Sequence, residues 1–460
     1  MTRLFGTNGI RGIVNKDMNN ELALGIGNAW GTYLKQTTNR PKLAIGTDAR
    51  LSNNMLKSAI TAGLLATGCD VTDVGLVPTP TLQYTVKEKK FTSGVIITAS
   101  HNPPEFNGIK GAGSDGAEFS KDVEEAIEHI YFSHQYIRSD WRNVGTYSTW
   151  EGAIDLYLNG ILSLVNVTLI KKQKFHVVLD CGNGAGSLVT PLLLKKLGCR
   201  VTELYCTPDG RFPGHHSEPL PENLTTLLET VPEVDATFGI AQDGDADRAI
   251  FVDENGTYIW GDKTLSLVGK YVTRENNGGT AVTPVTTSTC FEDVIRQNNG
   301  QVIYTKVGSP IVASIMKEKN AVFGGEENGG LIFPKMQYCR DSAMSLAKIL
   351  EILAQEKRPL SELIAEIPCY EMHKAKIACP NEKKESVMNT VVELMKNDNE
   401  VITIDRTDGV KLFVNGGWVL MRPSGTEALF RVYVEAKEKS RAKQLATTYK
   451  NRITSLLQEM

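Results

Sequence analysis

The sequence predicts an α/β protein of four domains, in which three similar βαβ-rich units and a smaller C-terminal α+β unit surround a central cleft. In the first three units, short apolar runs end in glycine-bearing turns and alternate with amphipathic stretches of helical length. This alternation recurs three times at a spacing of roughly 100–150 residues, the size of a typical domain. The rest of the chain contains several strand-like runs and ends in one long helical pattern.

Length and composition allow this architecture and exclude other classes of protein. The 460 residues suffice for about three domains, with two or four also allowed. Because 41% of the residues are hydrophobic and 22% are charged, the chain can bury a core, which excludes disorder as its dominant state. A formal net charge of -3 argues against nucleic acid or an anionic membrane as the main partner.

The sequence also predicts a cytoplasmic location. The apolar runs are shorter than the roughly 18 residues of a membrane span, and the opening MTRLFGTNGIRG lacks the apolar stretch of a signal peptide. The eight cysteines include no CxxC pair and no matched histidines. We therefore expect free thiols, with no disulfide framework and no zinc site.

The individual elements follow from hydrophobic periodicity. Strands are predicted within the segments 43–50, 94–104, 176–186, 236–248, 281–288, 302–309 and 321–330. Helices are predicted over Glu21–Lys35, Asn53–Thr67, Leu188–Leu197, Ser309–Lys319 and Asp341–Glu356. The runs VITID, VKLFV, GWVLMRP and LFRVYVEAK, followed by a helix over Ser440–Leu457, predict an antiparallel C-terminal sheet. The resulting domains are 1–150, 151–254, 255–367 and 368–460.

The first loop that carries chemistry is TASHNPP at 98–104, directly after a predicted buried strand. Ser100 at the end of such a strand, in a turn held by two prolines, is well placed as a nucleophile or phosphate carrier. His101 and Lys110 lie close by and could handle protons or phosphate charge. The alternative is that Ser100 caps a following helix.

The second loop is DGDADR at 243–248, which places three carboxylates at alternate positions. Asp243, Asp245 and Asp247 would repel one another unless a cation lay among them, which favours a Mg²⁺ site. The acids also match EF-hand positions, which would indicate a calcium-binding or sugar-phosphate-binding protein without catalysis. However, Arg248 stands where that loop needs glycine, and the flanking runs resemble strands.

Two further loops suit a sugar and a phosphate. GGEENGG at 324–330 places two acids and an amide on a flexible loop that could bond vicinal hydroxyls, or could be an exposed hairpin. RPSGTE at 422–427 offers a guanidinium, two hydroxyls and backbone N–H groups as an anion-binding concavity, or could be a tight turn. Each of the four loops lies in a different predicted domain, so a cleft between the domains could assemble them.

Together these motifs resemble the α-D-phosphohexomutases, which include phosphoglucomutase, phosphomannomutase and phosphoglucosamine mutase. The resemblance covers essentially the whole chain. It is carried, in order, by FGTNGIRG at 5–12, TASHNPPEFNGIK at 98–110, DGDADR at 243–248, GGEENGG at 324–330 and RPSGTE at 422–427. The family has four domains, which agrees with the domain organisation predicted above.

The resemblance implies an isomerase that interconverts hexose 6-phosphate and hexose 1-phosphate. Ser100 would carry a phosphoryl group as phosphoserine, and one Mg²⁺ per chain would bridge it to Asp243, Asp245 and Asp247. Transfer to a hexose monophosphate would form hexose 1,6-bisphosphate, the intermediate and activator, which turns over and returns its other phosphate to Ser100. The partner is then a small hexose phosphate rather than nucleic acid or a membrane.

The same resemblance assigns roles to the remaining site residues. Arg11, His101, Lys110 and Arg248 would supply charge stabilisation and acid–base chemistry at the reacting phosphate. Residues that would bind the substrate are Lys306, Glu326, Asn328, Arg422, Ser424, Gly425 and Thr426. One phosphate anchor would have to serve both orientations of the sugar.

The sequence departs from the family pattern in three places, of which the first two, in the sugar and phosphate loops, bear on the substrate more than on the reaction. Many members place serine and histidine where this chain has Asn328 and Gly330, proline where it has Ala428, and VGD where it has VGSP. The GEENGG form resembles that of archaeal members, often of broad hexose specificity. We expect glucosamine phosphates as the preferred substrates, with glucose and mannose phosphates as the alternative. A metal-assisted phosphatase that uses Ser100 is a further alternative.

Overall fold

Four β-sheets follow one another along the chain, and each is covered by helices. The structure is a computed structural model that describes residues 4–6, 8–396, 398–424 and 428–459. The first three sheets belong to mixed α/β domains and the fourth to a smaller C-terminal domain, as predicted.

The first domain contains a six-stranded sheet whose central strands are parallel. Its strands are β1 Ile10–Ile13, β2 Lys42–Thr47, β3 Asp70–Leu76, β4 Ser93–Ile97, β5 Phe106–Gly113 and β6 Tyr147–Thr149. Its helices are α1 Asn20–Lys35, α2 Asn53–Ala66, α3 Thr79–Glu88 and α4 Lys121–Ser133. The strand order is β1-β5-β4-β2-β3-β6, with β5 antiparallel to both neighbours. The loop after β4 therefore opens at the carboxyl edge of the parallel strands, where ligands collect in such sheets.

In the second domain, the loop DGDADR at 243–248 (the acidic loop) joins the two strands of a fully buried hairpin. Its elements are α5 Ala153–Ser163, α6 Val167–Gln173, β7 His176–Asp180, α7 Thr190–Lys196, β8 Arg200–Leu204, α8 Thr225–Glu233, β9 Phe238–Gln242, β10 Ala249–Val252 and β11 Tyr258–Ile259. The sheet order is β11-β10-β9-β7-β8. Because β11 pairs with β10, this sheet extends beyond the predicted boundary at 254.

The third domain has a four-stranded sheet in the order β13-β12-β14-β15. Its elements are α9 Gly261–Glu275, β12 Gly279–Pro284, α10 Thr289–Gln297, β13 Gly300–Thr305, α11 Ser309–Glu318, β14 Phe323–Glu326, β15 Gly330–Ile332, α12 Ser342–Glu356 and α13 Leu360–Ala365. The segment GGEENGG at 324–330 (the sugar-type loop) connects β14 to its antiparallel partner β15.

The C-terminal domain has an antiparallel sheet in the order β16-β20-β19-β18-β17. Its elements are β16 Glu371–Ala378, α14 Lys384–Met395, β17 Val401–Asp405, β18 Val410–Val414, β19 Gly417–Pro423, β20 Leu429–Ala436 and α15 Lys439–Glu459. The sequence did not predict β16, an edge strand that is mostly half-exposed and carries lysines among its apolar residues. Edge strands keep such charges because they discourage pairing with other chains.

One apolar core spans the second and third domains, whereas the first and fourth have cores of their own. Helices α5, α6 and α12 build the junction, where the buried Tyr157 hydroxyl donates to Asp341. The second and third domains are therefore packed as one body, although each carries its own sheet.

Within the described ranges, no single helix has the length and apolarity needed to cross a membrane. Together α5 and α6 meet those criteria, but the two helices bend by 88° where they join.

Candidate active site

Ser100 lies in the turn after β4 and is fully buried. Its backbone has a φ of 54°, in the left-handed region that non-glycine residues rarely adopt. The turn is held by the buried Arg50 guanidinium, which donates to the carbonyl oxygens of Ser100 at 2.9 Å and of Pro103 at 2.6 Å. The helix-cap alternative for Ser100 is wrong, because the chain turns directly into β5 rather than into a helix.

The acidic loop lies against this turn. The Ser100 hydroxyl donates to Asp243 Oδ2 at 2.7 Å, so the predicted carrier and the predicted metal loop are in contact across two domains. Single ligand atoms of Asp243, Asp245 and Asp247 lie within 4.8 Å of one another. The loop joins strands β9 and β10, so the helices that an EF-hand requires are absent from its flanks. The EF-hand alternative is therefore wrong.

The donor set fits a hard divalent cation. Oδ1 of Asp245 and Oδ1 of Asp247 are buried and have no hydrogen-bond partner among the described residues. Burial, together with the neighbouring carboxylates of Asp247 and Asp245, raises the pKa of Asp243 to about 8. A cation bound by oxygen ligands would satisfy the orphaned oxygens and relieve this repulsion.

Several cations partly balance the acids. Lys110 is buried and donates to Asp245 Oδ2 at 2.6 Å, where the Thr79 hydroxyl also donates at 2.6 Å. Arg248 Nε lies 3.9 Å from Asp243 Oδ2 and 3.8 Å from Asp247 Oδ1. Arg11 donates to the Asn102 side chain at 2.9 Å and so lies beside the Ser100 turn. Positive charge therefore surrounds the position where a phosphate on Ser100 would lie.

His101 is held in its neutral form. Burial first, and then the charges of Arg248 and Arg11, lower the pKa of His101 to about 2. Its Nδ1 lies 3.4 Å from the Ser100 hydroxyl oxygen. With so low a pKa the imidazole is a weak base in this arrangement, but a phosphoryl group on Ser100 would place negative charge beside it and raise its pKa.

The loop between β14 and β15 carries the predicted sugar contacts. Glu326 is buried, and its Oε2 accepts from Arg340 Nη1 at 2.8 Å. Asn328 Oδ1 accepts the Gly330 backbone N–H at 3.2 Å, which shapes the tip of the loop. Gly330 has no room for a side chain, because a Cβ there would lie 2.2 Å from Arg340 Cδ. Arg340 thus takes the space that a side chain at 330 would need.

The predicted phosphate anchor lies between the third and fourth domains. Lys306 and Arg422 line one cavity of about 640 Å³ that also includes Gly6 from the first domain. Between them, Asp408 Oδ2 accepts from the Val307 N–H at 3.0 Å and from Arg422 Nε at 2.5 Å. The Ser424 N–H donates to Leu429 O at 2.9 Å, closing the start of the loop. Gly425 and Thr426 lie outside the described residues.

Sequence reasoning missed four residues that shape the site: Arg50, Thr79, Arg340 and Asp408. None belongs to the motifs that were singled out, and each acts through contacts with residues far away in the chain. Thr79 and Asp245, for example, are 166 positions apart. A signal existed only for Asp408, whose TDG sequence follows a strand and matches a turn.

Buried acids, a buried serine and converging cations suit phosphoryl transfer assisted by a divalent cation. Comparison with known proteins agrees with this class. Four family models match in order: phosphoglucomutase/phosphomannomutase alpha/beta/alpha domain I at residues 2–138, domain II at 155–256, domain III at 260–370 and the C-terminal domain at 375–450.

Individual relatives give the same result. A phosphoglucomutase/phosphomannomutase of Thermococcus kodakarensis is 46% identical, with 96% of this chain and 97% of the relative covered. A probable phosphoglucosamine mutase of Methanopyrus kandleri is 42% identical over the full length of both chains. A solved phosphoglucomutase/phosphomannomutase family protein of Burkholderia thailandensis has a TM-score of 0.88 at 27% identity, covering 100% of this chain and 98% of that chain.

The chain belongs to the phosphoglucomutase/phosphomannomutase family, the α-D-phosphohexomutases, and is a phosphohexomutase, an isomerase that acts as an intramolecular phosphotransferase. The recognition made from the five sequence motifs and the four-domain fold class predicted with it are therefore confirmed. The domain boundaries at 150, 254 and 367 and the cytoplasmic location remain predictions.

Proposed function

We propose that this mutase works through a phosphorylated Ser100 and that the sugar turns over between two transfers. The observation that carries the proposal is the 2.7 Å contact between the Ser100 hydroxyl and Asp243, which brings the carrier turn onto the acidic loop. The burial of both residues supports it, because water excluded from the site cannot compete as the acceptor.

In the first transfer, a hydroxyl oxygen of a hexose monophosphate attacks the phosphorus on Ser100. The new P–O bond forms as the bond between phosphorus and Ser100 Oγ breaks. The proton of the sugar hydroxyl goes to a nearby base, and the departing Ser100 Oγ takes up a proton to become a hydroxyl. We assign the proton of the sugar hydroxyl to His101, whose Nδ1 lies 3.4 Å from the Ser100 hydroxyl oxygen and whose pKa the phosphoryl charge would raise. Lys110, Arg11 and Arg248 stabilise the spreading negative charge. The product is a hexose 1,6-bisphosphate.

The second transfer reverses the first with the other phosphate. The bisphosphate turns over, and Ser100 Oγ attacks the second phosphorus as its own proton goes to a nearby base. The bond between that phosphorus and the sugar oxygen breaks, and the sugar oxygen leaves with a proton. Glu326 and Asn328 would bond the sugar hydroxyls, while Lys306, Arg422, Ser424 and the loop residues Gly425 and Thr426 would bind the phosphate that is not reacting.

Asp243, Asp245 and Asp247 would hold one Mg²⁺ beside the phosphate on Ser100. When bound, Mg²⁺ supplies Lewis acidity and neutralises phosphate charge. The two orphaned oxygens of Asp245 and Asp247 support this assignment.

As substrates we propose glucosamine 6-phosphate and glucosamine 1-phosphate. The name of the Methanopyrus kandleri relative supports this choice. The name of the Thermococcus kodakarensis relative supports the alternative, an enzyme of broad specificity for glucose and mannose phosphates. Values of kcat/KM for the three 1-phosphates, measured side by side, decide between them.

The mechanism is tested with Ser100→Ala, which changes only the hydroxyl. Intact-mass analysis of the wild type should show a phosphorylated fraction that is missing from the variant, and the variant should lose mutase turnover. A phosphatase would release inorganic phosphate from hexose 1-phosphate, whereas the mutase should release almost none. Full turnover of Ser100→Ala in the presence of hexose 1,6-bisphosphate would overturn the proposal.

A further inference from the structure

Arg340 lies just before α12 and connects two loops that come from different domains. Its Nη2 donates to Asp247 Oδ2 at 2.5 Å, and its Nη1 donates to Glu326 Oε2 at 2.8 Å. The residue is 5% exposed, so both ion pairs are shielded from solvent. Asp247 belongs to the acidic loop and Glu326 to the sugar-type loop.

The chemistry of the side chain suits this connection. A guanidinium is planar and always charged, and it presents its N–H donors in a rigid fork. It can therefore hold two carboxylates at one fixed separation, whereas the single ammonium of lysine cannot hold both in the same geometry. The Nε of Arg340 is also buried and has no hydrogen-bond partner within the described part of the chain.

The sequence provides the space for this arrangement at one position. Gly330, at the start of β15, lies against the Arg340 stem, where a Cβ would lie 2.2 Å from Cδ and 2.9 Å from Cγ. The backbone of Gly330 does not need glycine for its own conformation, since it lies in a strand and has no positive φ. Glycine at 330 is therefore explained by the packing of Arg340.

We propose that Arg340 is a positioning residue for sugar recognition, which holds Glu326 at a fixed distance from the acidic loop. This inference rests on the proposed function, in which Glu326 bonds sugar hydroxyls and the acidic loop lies at the reacting phosphate. Fixing the two loops to each other sets the distance between the bound sugar and the transferred phosphoryl group. Small errors in that distance are costly in phosphoryl transfer.

The test separates sugar binding from phosphate binding. In the inactive Ser100→Ala background, calorimetry measures the binding of glucose 1-phosphate and of inorganic phosphate to the full chain. Adding Arg340→Lys should weaken glucose 1-phosphate about tenfold and change inorganic phosphate less than about twofold, because the phosphate anchor is elsewhere. Equal weakening of both ligands, or no weakening of glucose 1-phosphate, overturns the proposal.

A double-mutant cycle with Glu326→Gln gives a second readout in the otherwise wild-type enzyme. If Arg340 acts through Glu326, the two changes are strongly non-additive in kcat/KM, and the double variant is close to the worse single one. If the loss of kcat/KM in the double variant equals the product of the two single losses, the inference is contradicted. The matched control is Arg358→Met, which removes an exposed arginine on the α12–α13 connection and should leave kcat/KM unchanged.

Because loss of Arg340 leaves two buried carboxylates without their partner, the variant could fail to fold. Gly330→Ala keeps every charge and displaces only the Arg340 stem, so it should reproduce the weaker binding of glucose 1-phosphate. Gly113→Ala is its control, because a Cβ there would make only ordinary contacts, with the nearest atom 3.4 Å away. Unchanged glucose 1-phosphate binding in folded Gly330→Ala also overturns the proposal. Loss of turnover in Ser100→Ala tests the proposed function separately from all of these results.

Discussion

The transfer centre and the phosphate anchor differ in how tightly they are built. The transfer centre (Ser100, Lys110, Asp243, Asp245 and Asp247) is no more than 2% exposed at any residue, and its members bond one another directly. In the phosphate anchor (Lys306, Asp408, Arg422 and Ser424), Lys306 is exposed, and the side chains of Arg422 and Asp408 are 18% and 17% exposed.

The difference matches the two tasks proposed above for these regions. A reacting phosphoryl group needs fixed positions, because catalysis of its transfer consists mainly of alignment and charge stabilisation. An anchor that receives either phosphate of a turning sugar needs attraction without a rigid fit. Variants in the first region should therefore lower kcat, and variants in the second should raise KM.

The largest effect is expected from Asp245→Asn in the transfer centre. The change preserves volume but removes a charge and a ligand oxygen next to Lys110. We expect kcat to fall at least about a hundredfold, as for other groups that stabilise transition-state charge. Initial rates over a Mg²⁺ titration measure this fall, with Asp235→Asn on the surface after α8 as the control. A normal kcat at saturating Mg²⁺ would contradict the assigned role.

The next effect is expected from Arg422→Met in the phosphate anchor. We expect Arg422 to bind the phosphate equally well in the ground state and in the transition state. Loss of such binding raises KM and leaves kcat nearly unchanged. We expect KM to rise about tenfold or more for both the 6-phosphate and the 1-phosphate, since one anchor serves both orientations. Steady-state kinetics in both directions test this, with the exposed Arg296→Met as the control. A change in only one direction would mean that the anchor serves one orientation.

A smaller effect is expected from Asp408→Asn. Its carboxylate accepts from Val307 N and Arg422 Nε and so aligns the loops of the third and fourth domains. An amide retains one acceptor oxygen but loses the charge, so KM should rise only about threefold. The effect should vanish when Arg422 is already methionine, because the two residues act as a pair. Additive effects in that double variant would show that Asp408 acts independently.

The last effect concerns the stability of the domain that carries the anchor and not the rate of the reaction. Lys411 is buried, donates to Val285 O of the third domain at 2.7 Å, and lies 3.9 Å from the centre of the Trp418 ring. Burial lowers the pKa of Lys411 from 10.5 to about 8. Between these values the unfolded chain holds a proton that the folded chain lacks, so stability rises with pH across this window and is lost as pH falls toward 8.

The whole shift corresponds to no more than about 3 kcal/mol. Urea unfolding of the wild type and of Lys411→Met at pH 8 and at about pH 10 isolates this contribution, because other groups titrate equally in both proteins. The free energy of unfolding of the wild type should increase relative to that of the variant at the higher pH. A difference that does not depend on pH would exclude a depressed Lys411 pKa.

The sequence by itself determined most local structure. The predicted helix over Glu21–Lys35 is found as Asn20–Lys35, and the one over Ser440–Leu457 as Lys439–Glu459. These predictions succeeded because a helix with an apolar face, or a strand buried on both faces, can be recognised from the hydrophobic pattern of a few neighbouring residues. The edge strand β16 was missed because its half-exposed, lysine-bearing pattern gives no such signal.

The residues of the candidate site also divide into those that the sequence indicates and those that only the structure shows. Ser100 and the three aspartates could be recognised because each motif is contiguous in the chain. Arg340 could not, since its partner Asp247 is 93 positions away and nothing near either residue indicates the other. The sequence thus determined the elements, the order of the domains and the groups proposed to do the chemistry. Only the tertiary structure decided which charges face one another, because buried ion pairs are formed by domain packing and not by local propensity.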